Sequence, residues 1–210
     1  MLRLPREEEV HQRFRDSGIL LVRDALDAAA ASDLEGEALA LAGRAGRHIR
    51  RASDAGVLDY RVITGDVIRT DAPRLHAIYE SAELLDWIRA VTGTATVALS
   101  PHQRSAINVN VLDTAGQEYR WHTDAVPFTV LLFLTTVPAS AGGELLVRTD
   151  PGAVMAIAPV AGSLVLMDGR RCAHAVAPLR EDALRISVPM VFPEVEDRRP
   201  AGLDDYLYAT

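Results

Sequence analysis

From Pro101 to Phe192 the chain consists of short segments in which apolar and polar residues alternate, and this pattern leaves few folds open. Turn residues such as Gly142-Gly143 and Asp168-Gly169 separate the segments. Alternation with a period of two is typical of strands that bury one face. About eight such strands with close turns predict an antiparallel jelly roll, a cupin-like barrel of two sheets. The strands are expected near residues 105–112, 127–136, 143–148, 153–158, 163–168, 173–178 and 183–192, with a short one leading into His122.

The residues before this region are rich in alanine, leucine and arginine, and they predict helices. Ser32-Asp33 is a capping signal for a helix that runs to about Arg50. Pro73 is suited to open a second helix, which we expect to continue through Ala90 and to end at Gly93. The second segment places apolar residues at helical spacing. The two helices could cover the outside of one sheet.

The length of 210 residues suits one domain with a sizeable core. We predict a mainly β fold with flanking helices and a single domain over residues 1–210. A mostly helical part at 1–100 packs on the barrel, and the jelly-roll core occupies 101–192. The tail at 193–210 is either a flexible end or a strap against the body or a second subunit, and the sequence leaves both open.

Two histidines and an aspartate stand where they could meet inside such a barrel. His122 and Asp124 are two residues apart, so they point to the same side of an extended chain, and His174 opens a later strand. Two imidazoles and one carboxylate form a facial ligand set for Fe(II) that leaves about three coordination positions open. A structural zinc site would more often use four protein ligands, usually with cysteine. We predict that His122, Asp124 and His174 bind the metal and are the catalytic residues.

An arginine on the last strand indicates a binding site for an acidic cosubstrate. Arg185 and Ser187 share one face of this strand, and the residues between and beside them are apolar. An arginine that points into a barrel is costly to bury without an anionic partner. A ligand carboxylate supplies that partner through two parallel hydrogen bonds, and Ser187 adds a hydroxyl. The alternative is an internal salt bridge from Arg185 to an Asp or Glu.

Two further polar residues are candidates for the metal-proximal end of the cosubstrate. Asn110 lies with Asn108 on one face of the first long strand of the barrel, and Thr129 lies on the next long strand. We predict that Asn110 and Thr129 also bind the cosubstrate. An inward amide could equally bind backbone groups or orient a metal ligand.

Charge and cysteine usage exclude several classes of partner. With 22 basic and 29 acidic residues, the net charge of −7 and the lack of a basic stripe argue against nucleic acid. The single cysteine, Cys172, cannot form an internal disulfide, which fits a reduced, cytoplasmic setting. Neither a signal-peptide core nor a run of about 18 apolar residues is present, so no membrane association is expected. A small-molecule substrate is favoured, and a homodimer stays open.

The whole segment from about Ser105 to Phe192 resembles the iron(II)- and 2-oxoglutarate-dependent dioxygenase superfamily. The matching pieces are Trp121-His122-Thr-Asp124, the stretches 141–145 and 162–168, His174, and Arg185-Ile-Ser187. The stretch 79–93 is similar to helices that precede the core in small bacterial members. The resemblance implies a double-stranded β-helix in which the His-Asp-His set binds iron. It also implies that Arg185 and Ser187 hold the C5 carboxylate of 2-oxoglutarate.

The resemblance further implies the cofactors Fe(II), 2-oxoglutarate and O2 and the formation of succinate and CO2. Related radical halogenases replace the carboxylate ligand with a small residue, so the presence of Asp124 favours hydroxylation or desaturation over halogenation. A free amino acid or a natural-product precursor is the expected substrate. Two alternatives remain open from the residues alone: a cupin-like metal enzyme that needs no 2-oxoglutarate, and a non-catalytic jelly-roll binding module.

Overall fold

The computed structural model describes residues 2–53, 56–150, 153–197, 202, 204 and 208, and within them two antiparallel sheets face each other. The larger sheet has the strand order β1-β9-β6-β11-β4-β3-β2, and the smaller has the order β5-β10-β7-β8. The strands are β1 (Ile19–Val22), β2 (Arg47–Ser53), β3 (Gly56–Ile63), β4 (Val109–Leu112), β5 (Tyr119–His122), β6 (Phe128–Phe133), β7 (Leu145–Asp150), β8 (Ala153–Ile157), β9 (Leu164–Asp168), β10 (His174–Val176) and β11 (Arg185–Phe192). The predicted mainly β jelly-roll fold with flanking helices is confirmed.

Helices cover the outer side of the larger sheet. They are α1 (Glu8–Ser17), α2 (Ala28–Ala45), α3 (Gly65–Asp71), α4 (Pro73–Tyr79), α5 (Ala82–Thr92) and the short α6 (Gln103–Ala106). Their buried residues, among them Leu41, Leu75 and Ile88, join one apolar cluster with Ile186 and Val188 of β11. Because β11 alternates, these apolar residues face the helices while Arg185 and Ser187 face the interior between the sheets. None of the described helices is both long and apolar enough to cross a membrane.

The helix that was predicted from Pro73 through Ala90 is interrupted. It ends at Tyr79, and α5 starts after Ser81, whose hydroxyl accepts a hydrogen bond from the backbone N–H of Leu84 at 3.4 Å. A serine at this position satisfies an otherwise unpaired helix N–H, so a new helix begins there. Gly93 ends α5 with a left-handed backbone (φ 70°), as predicted.

The helix that was predicted from Ser32-Asp33 to about Arg50 begins and ends earlier, at Ala28 and Ala45, and is capped by a different residue. Asp27 caps α2 by accepting from Ala30 N at 2.9 Å, and α2 ends at Ala45. Strands β2 and β3 then pair antiparallel, and β3 pairs with β4, so both strands extend the larger sheet. The prediction of a helical first part was therefore incomplete, because β2 and β3 are rich in charged residues and lack a clear alternating pattern. The single-domain organisation over 1–210 stays a prediction.

Two apolar clusters fill the space between the sheets and leave a cavity between them. One cluster joins Phe133 and Met167 of the larger sheet to Leu145 of the smaller sheet. The other includes Tyr60 and the C-terminal Tyr208. The cavity is lined by members of both clusters and has a volume of about 300 Å³. This is within the size range of small-molecule sites.

Candidate active site

The three predicted metal ligands meet in this cavity, because neighbouring strands of the smaller sheet bring them together. His122 ends β5 and His174 begins β10, and the two residues are direct cross-strand partners. Asp124 follows β5 by two residues, and its backbone N–H donates to the carbonyl of Gly169 at 2.8 Å. The chain after β5 is thereby fixed to the loop after β9, which places the carboxylate beside both imidazoles.

The distances among the three side chains suit one metal ion. Oδ1 of Asp124 lies 3.6 Å from Nε2 of His122 and 3.8 Å from Nε2 of His174. One donor atom of each residue lies within 4.8 Å of the others, and no other His, Cys, Asp or Glu of the described chain joins the group. Ligand atoms that are each about 2.1 Å from one ion can be up to about 4.2 Å apart. Both distances to Oδ1 are below this limit.

Backbone carbonyls hold each imidazole with Nε2 directed to the carboxylate. His122 Nδ1 lies 2.8 Å from the carbonyl oxygen of Arg120, and His174 Nδ1 lies 3.0 Å from that of Cys172. A hydrogen bond at Nδ1 places the proton there and leaves the Nε2 lone pair for a metal. Burial, and secondarily the proximity of the His174 imidazole, lowers the pKa of His122 below its ordinary value. The ring therefore stays neutral at neutral pH, the form that binds a metal.

Arg185 is the largest fully buried polar side chain of the cavity wall, with 1% of its surface exposed. Nε donates to the carbonyl of Gly143 at 2.8 Å, and Nη1 donates to Ser187 Oγ at 2.9 Å. The close contact between Arg185 and this backbone depends on Gly143, which has a φ of +73°. A Cβ at this residue would lie 3.1 Å from Cδ of Arg185. Burial lowers the pKa of Arg185 to about 10, so the guanidinium is still charged at neutral pH.

No carboxylate of the described residues lies within ion-pair distance of Arg185, and its buried Nη2 has no hydrogen-bond partner there. The internal salt bridge considered as an alternative is thus absent from the described chain. Burying a cation whose N–H group lacks a hydrogen-bond partner costs free energy, unless an anion pairs with it. The arrangement fits the carboxylate of an acidic cosubstrate that enters the cavity.

Ser187 and Asn110 lie beside this guanidinium. Ser187 is 2% exposed, and its Oγ accepts from Arg185, which leaves its own hydroxyl hydrogen for a ligand. Asn110 is the cross-strand partner of Ser187 and lines the cavity. Neighbouring Asn108 uses its amide differently, because its Nδ2 donates to the carbonyls of Arg104 and Ile107 at 3.1 and 2.8 Å. The cosubstrate role of Asn110 stays a prediction.

Thr129 also lines the cavity, but its hydroxyl has a partner that the sequence did not predict. Thr129 Oγ1 donates to Oδ2 of Asp124 at 2.5 Å. The hydroxyl therefore contacts one of the three candidate metal ligands. Its predicted role in binding the cosubstrate stays a prediction.

Tyr208 of the tail forms part of the cavity wall, a placement that no sequence pattern predicted. Its side chain is 6% exposed, and its hydroxyl donates to Oδ1 of Asn108 at 2.6 Å. The guanidinium of Arg104 lies 5.2 Å from its ring centre. Tyr208 is therefore held against the body at the cavity, in accord with the strap that was one reading of the tail. Tyr206, the other tyrosine of the tail, is outside the described residues.

The packing of Tyr208 predicts a measurable contribution to stability. We expect Tyr208→Ala to lower the free energy of unfolding by about 3 kcal/mol, because a buried aromatic ring is lost. Tyr208→Phe keeps the ring and should cost about 1 kcal/mol, the value of a typical hydrogen bond. Urea denaturation of the three proteins measures both differences. A Tyr208→Ala protein as stable as the wild type would contradict the placement of this residue.

Comparison with known proteins agrees with the geometry. The sequence profile of the halogenase D family matches residues 4–151. No curated protein sequence matches this chain. Solved structures that share the fold include the epimerase SnoN in complex with Fe3+, alpha ketoglutarate and nogalamycin RO. The two chains are 19% identical over 97% of this chain and 90% of SnoN, with a TM-score of 0.75.

Two further solved structures are similar over nearly the whole chain. A prolyl hydroxylase from Trichoplax adhaerens, in complex with a peptide of the hypoxia inducible factor, is 16% identical over 97% of this chain and 92% of its own (TM-score 0.72). A 2OG-Fe(II) oxygenase family oxidoreductase from Burkholderia pseudomallei is 17% identical over 94% of this chain and 97% of its own (TM-score 0.69). At these identities the likeness establishes a common fold.

Proposed function

The chain belongs to the halogenase D family and has the fold of the iron(II)- and 2-oxoglutarate-dependent oxygenases, and we propose that it hydroxylates a small molecule. The observation that carries the proposal is the shared cavity of the His122–Asp124–His174 group and the buried, incompletely bonded Arg185. The group of two histidines and one aspartate fits a ferrous ion, and the guanidinium of Arg185 fits the distal carboxylate of 2-oxoglutarate. The cofactors predicted from the sequence, Fe(II), 2-oxoglutarate and O2, thus have a matching site.

Each residue has a task that follows from its position. Nε2 of the two histidines and Oδ1 of Asp124 would hold the iron on one face and leave the opposite face open. Arg185 and Ser187 would bind and orient the cosubstrate from the far end of the cavity. Iron and 2-oxoglutarate, when bound, supply the activation of dioxygen, with release of succinate and CO2. The apolar walls around Leu131 and Val176 would exclude bulk water.

The name of the family raises halogenation as a second candidate function. The resemblance described above links halogenation to a small residue at the third ligand position, where a halide takes the place of the carboxylate. This chain has Asp124 at that position, with Oδ1 at 3.6 and 3.8 Å from the two imidazole nitrogens. A carboxylate in contact with the metal leaves no vacancy for the halide, so we favour hydroxylation.

A chloride-omission experiment separates the two candidates. We expect Fe(II)-dependent conversion of 2-oxoglutarate to succinate at the same rate with and without chloride, because no halide ligand is needed. The assay is run first without a substrate and then with a panel of amino acids and related metabolites. Mass spectrometry should find products that gain one oxygen. A product that carries chlorine, or turnover that requires chloride, would favour halogenation.

The cavity suits a small substrate. Its volume of about 300 Å³ must also accommodate the cosubstrate, and Tyr208, Tyr60 and Asn108 line its wall together with aliphatic residues. Of the similar structures, SnoN is described with nogalamycin RO and the prolyl hydroxylase with a peptide. We propose an amino acid or a natural-product precursor as the substrate class.

The two alternative functions that the sequence left open, a cupin-like metal enzyme and a non-catalytic binding module, predict different behaviour. A cupin-like enzyme without 2-oxoglutarate does not explain why the buried Nη2 of Arg185 lacks a hydrogen-bond partner among the described residues. A non-catalytic binding module does not explain the group of three potential metal ligands. Anaerobic titration with Fe(II) distinguishes them, because a weak visible charge-transfer band on addition of 2-oxoglutarate is expected only for the oxygenase. Ligand binding that persists in metal-free protein would favour the binding module.

A further inference from the structure

The two carboxylate oxygens of Asp124 have different surroundings, and the difference suggests how this ligand is controlled. Oδ1 faces the imidazole nitrogens of His122 and His174 at 3.6 and 3.8 Å. Oδ2 instead accepts the hydroxyl hydrogen of Thr129 at 2.5 Å. We propose that Thr129, with Gly169 behind it, is a positioning residue that restricts Asp124 to binding the metal through Oδ1 alone. This inference rests on the proposed function of the site.

Thr129 is well placed to fix the carboxylate. It lies on β6 in the middle of the larger sheet, between the ladders to β9 and β11, and it is 4% exposed. β-branching restricts the rotation of a side chain about χ1, and burial of Thr129 limits its hydroxyl further. A short hydrogen bond to a charged oxygen is also stronger than one between neutral groups. Oδ2 is therefore kept on the side of the larger sheet.

Gly169 lies directly against the same carboxylate. A Cβ at this residue would lie 2.7 Å from both Oδ2 and Cβ of Asp124, closer than side-chain atoms can approach. The backbone of Gly169 also accepts the N–H of Asp124 at 2.8 Å. The ligand thus sits in a cradle of one hydroxyl and one glycine backbone, and only a residue without a side chain fits there.

The cradle has a consequence for the metal. A carboxylate that binds through both oxygens would take an additional position around the ion. With Oδ2 engaged by Thr129, the protein would fill three positions around a bound ion, and about three would stay free for the cosubstrate and dioxygen. The cradle also indicates that the site is shaped for a carboxylate at residue 124.

Replacing Thr129 by valine tests this inference, because valine keeps the shape of the side chain and removes the hydroxyl. We expect the affinity for Fe(II), measured anaerobically by competition with a chelator, to fall about 10- to 100-fold, the usual effect of losing a group that orients a metal ligand. Thr129→Ser retains the hydroxyl and should stay within about threefold of the wild type. Gly169→Ala should displace the carboxylate of Asp124 and should therefore also lower the affinity for Fe(II).

A spectroscopic measurement distinguishes positioning from a general structural role. The charge-transfer band of the protein with Fe(II) and 2-oxoglutarate should shift in Thr129→Val and return in Thr129→Ser, while the thermal midpoints of the metal-free proteins stay similar. Wild-type affinity together with an unshifted band in Thr129→Val would overturn the inference and leave the proposed function standing. A wild-type protein that binds no Fe(II) would overturn both.

Discussion

Replacement of His174 by alanine is expected to abolish succinate formation, because the change removes one of three protein ligands to the metal. The side chain of His174 is 9% exposed, its Nδ1 lies against the carbonyl of Cys172, and its Nε2 faces Asp124. Changes to residues that only orient a ligand cost about 10- to 100-fold in metal affinity. Loss of the ligand itself should therefore lower Fe(II) affinity by at least about 100-fold.

His76→Ala is the matched control for this prediction. His76 lies on α4 beside Glu80, outside the cavity, and its replacement should leave both Fe(II) affinity and turnover unchanged. Both variants are compared in the substrate-independent succinate assay and in the anaerobic Fe(II) titration. Undiminished turnover in His174→Ala would remove this residue from the metal site.

The second large effect is expected at Arg185. Arg185→Met should raise the 2-oxoglutarate concentration needed for half-maximal turnover by roughly 30-fold or more, since truncation of a buried charge pair costs about 2–5 kcal/mol. Methionine has a similar length and no charge. The stability of the ligand-free protein should change little or rise, because a buried cation without an ionic partner is removed.

This combination of effects separates a ligand-binding arginine from a structural one. A structural Arg185 would destabilise the protein when replaced and would leave the 2-oxoglutarate requirement unchanged. Arg185→Lys provides an intermediate case, because it keeps a charge but loses the planar fork that matches a carboxylate. The measurements are 2-oxoglutarate dependence at saturating Fe(II) and urea denaturation without ligands.

The jelly-roll core could be predicted because the features that specify its strands, apolar periodicity and turn residues, lie close together in the sequence. Strand β11 alternates, and β6 and β9 are apolar except for Thr129 and Asp168. Turn residues separate the strands, so the sequence pattern matches the pleat. The same period explains why His122 and Asp124 were expected on one side and why Arg185 was expected to point inward. The structure brings these residues to one cavity as predicted. Their roles in binding remain proposals.

The features that were missed depend on contacts that no periodic pattern encodes. The hydrogen bond of Thr129 to Asp124 spans only five residues and depends on the conformation of the turn between β5 and β6. Tyr208 meets Asn108 across 100 residues of sequence. Strands β2 and β3 join the larger sheet through the pairing of β3 with β4, although their own sequences are rich in charged residues. The possible pairing of subunits and the cytoplasmic location stay predictions.

The central claim is that three side chains hold one ferrous ion, and crystals grown anaerobically with Fe(II) test it most directly. An anomalous difference map at the iron absorption edge should contain a single strong peak about 2.1 Å from Nε2 of His122, Nε2 of His174 and Oδ1 of Asp124. Oδ2 of Asp124 should remain with Thr129. A map with no peak between these three atoms, or with iron bound elsewhere in the chain, would contradict the account.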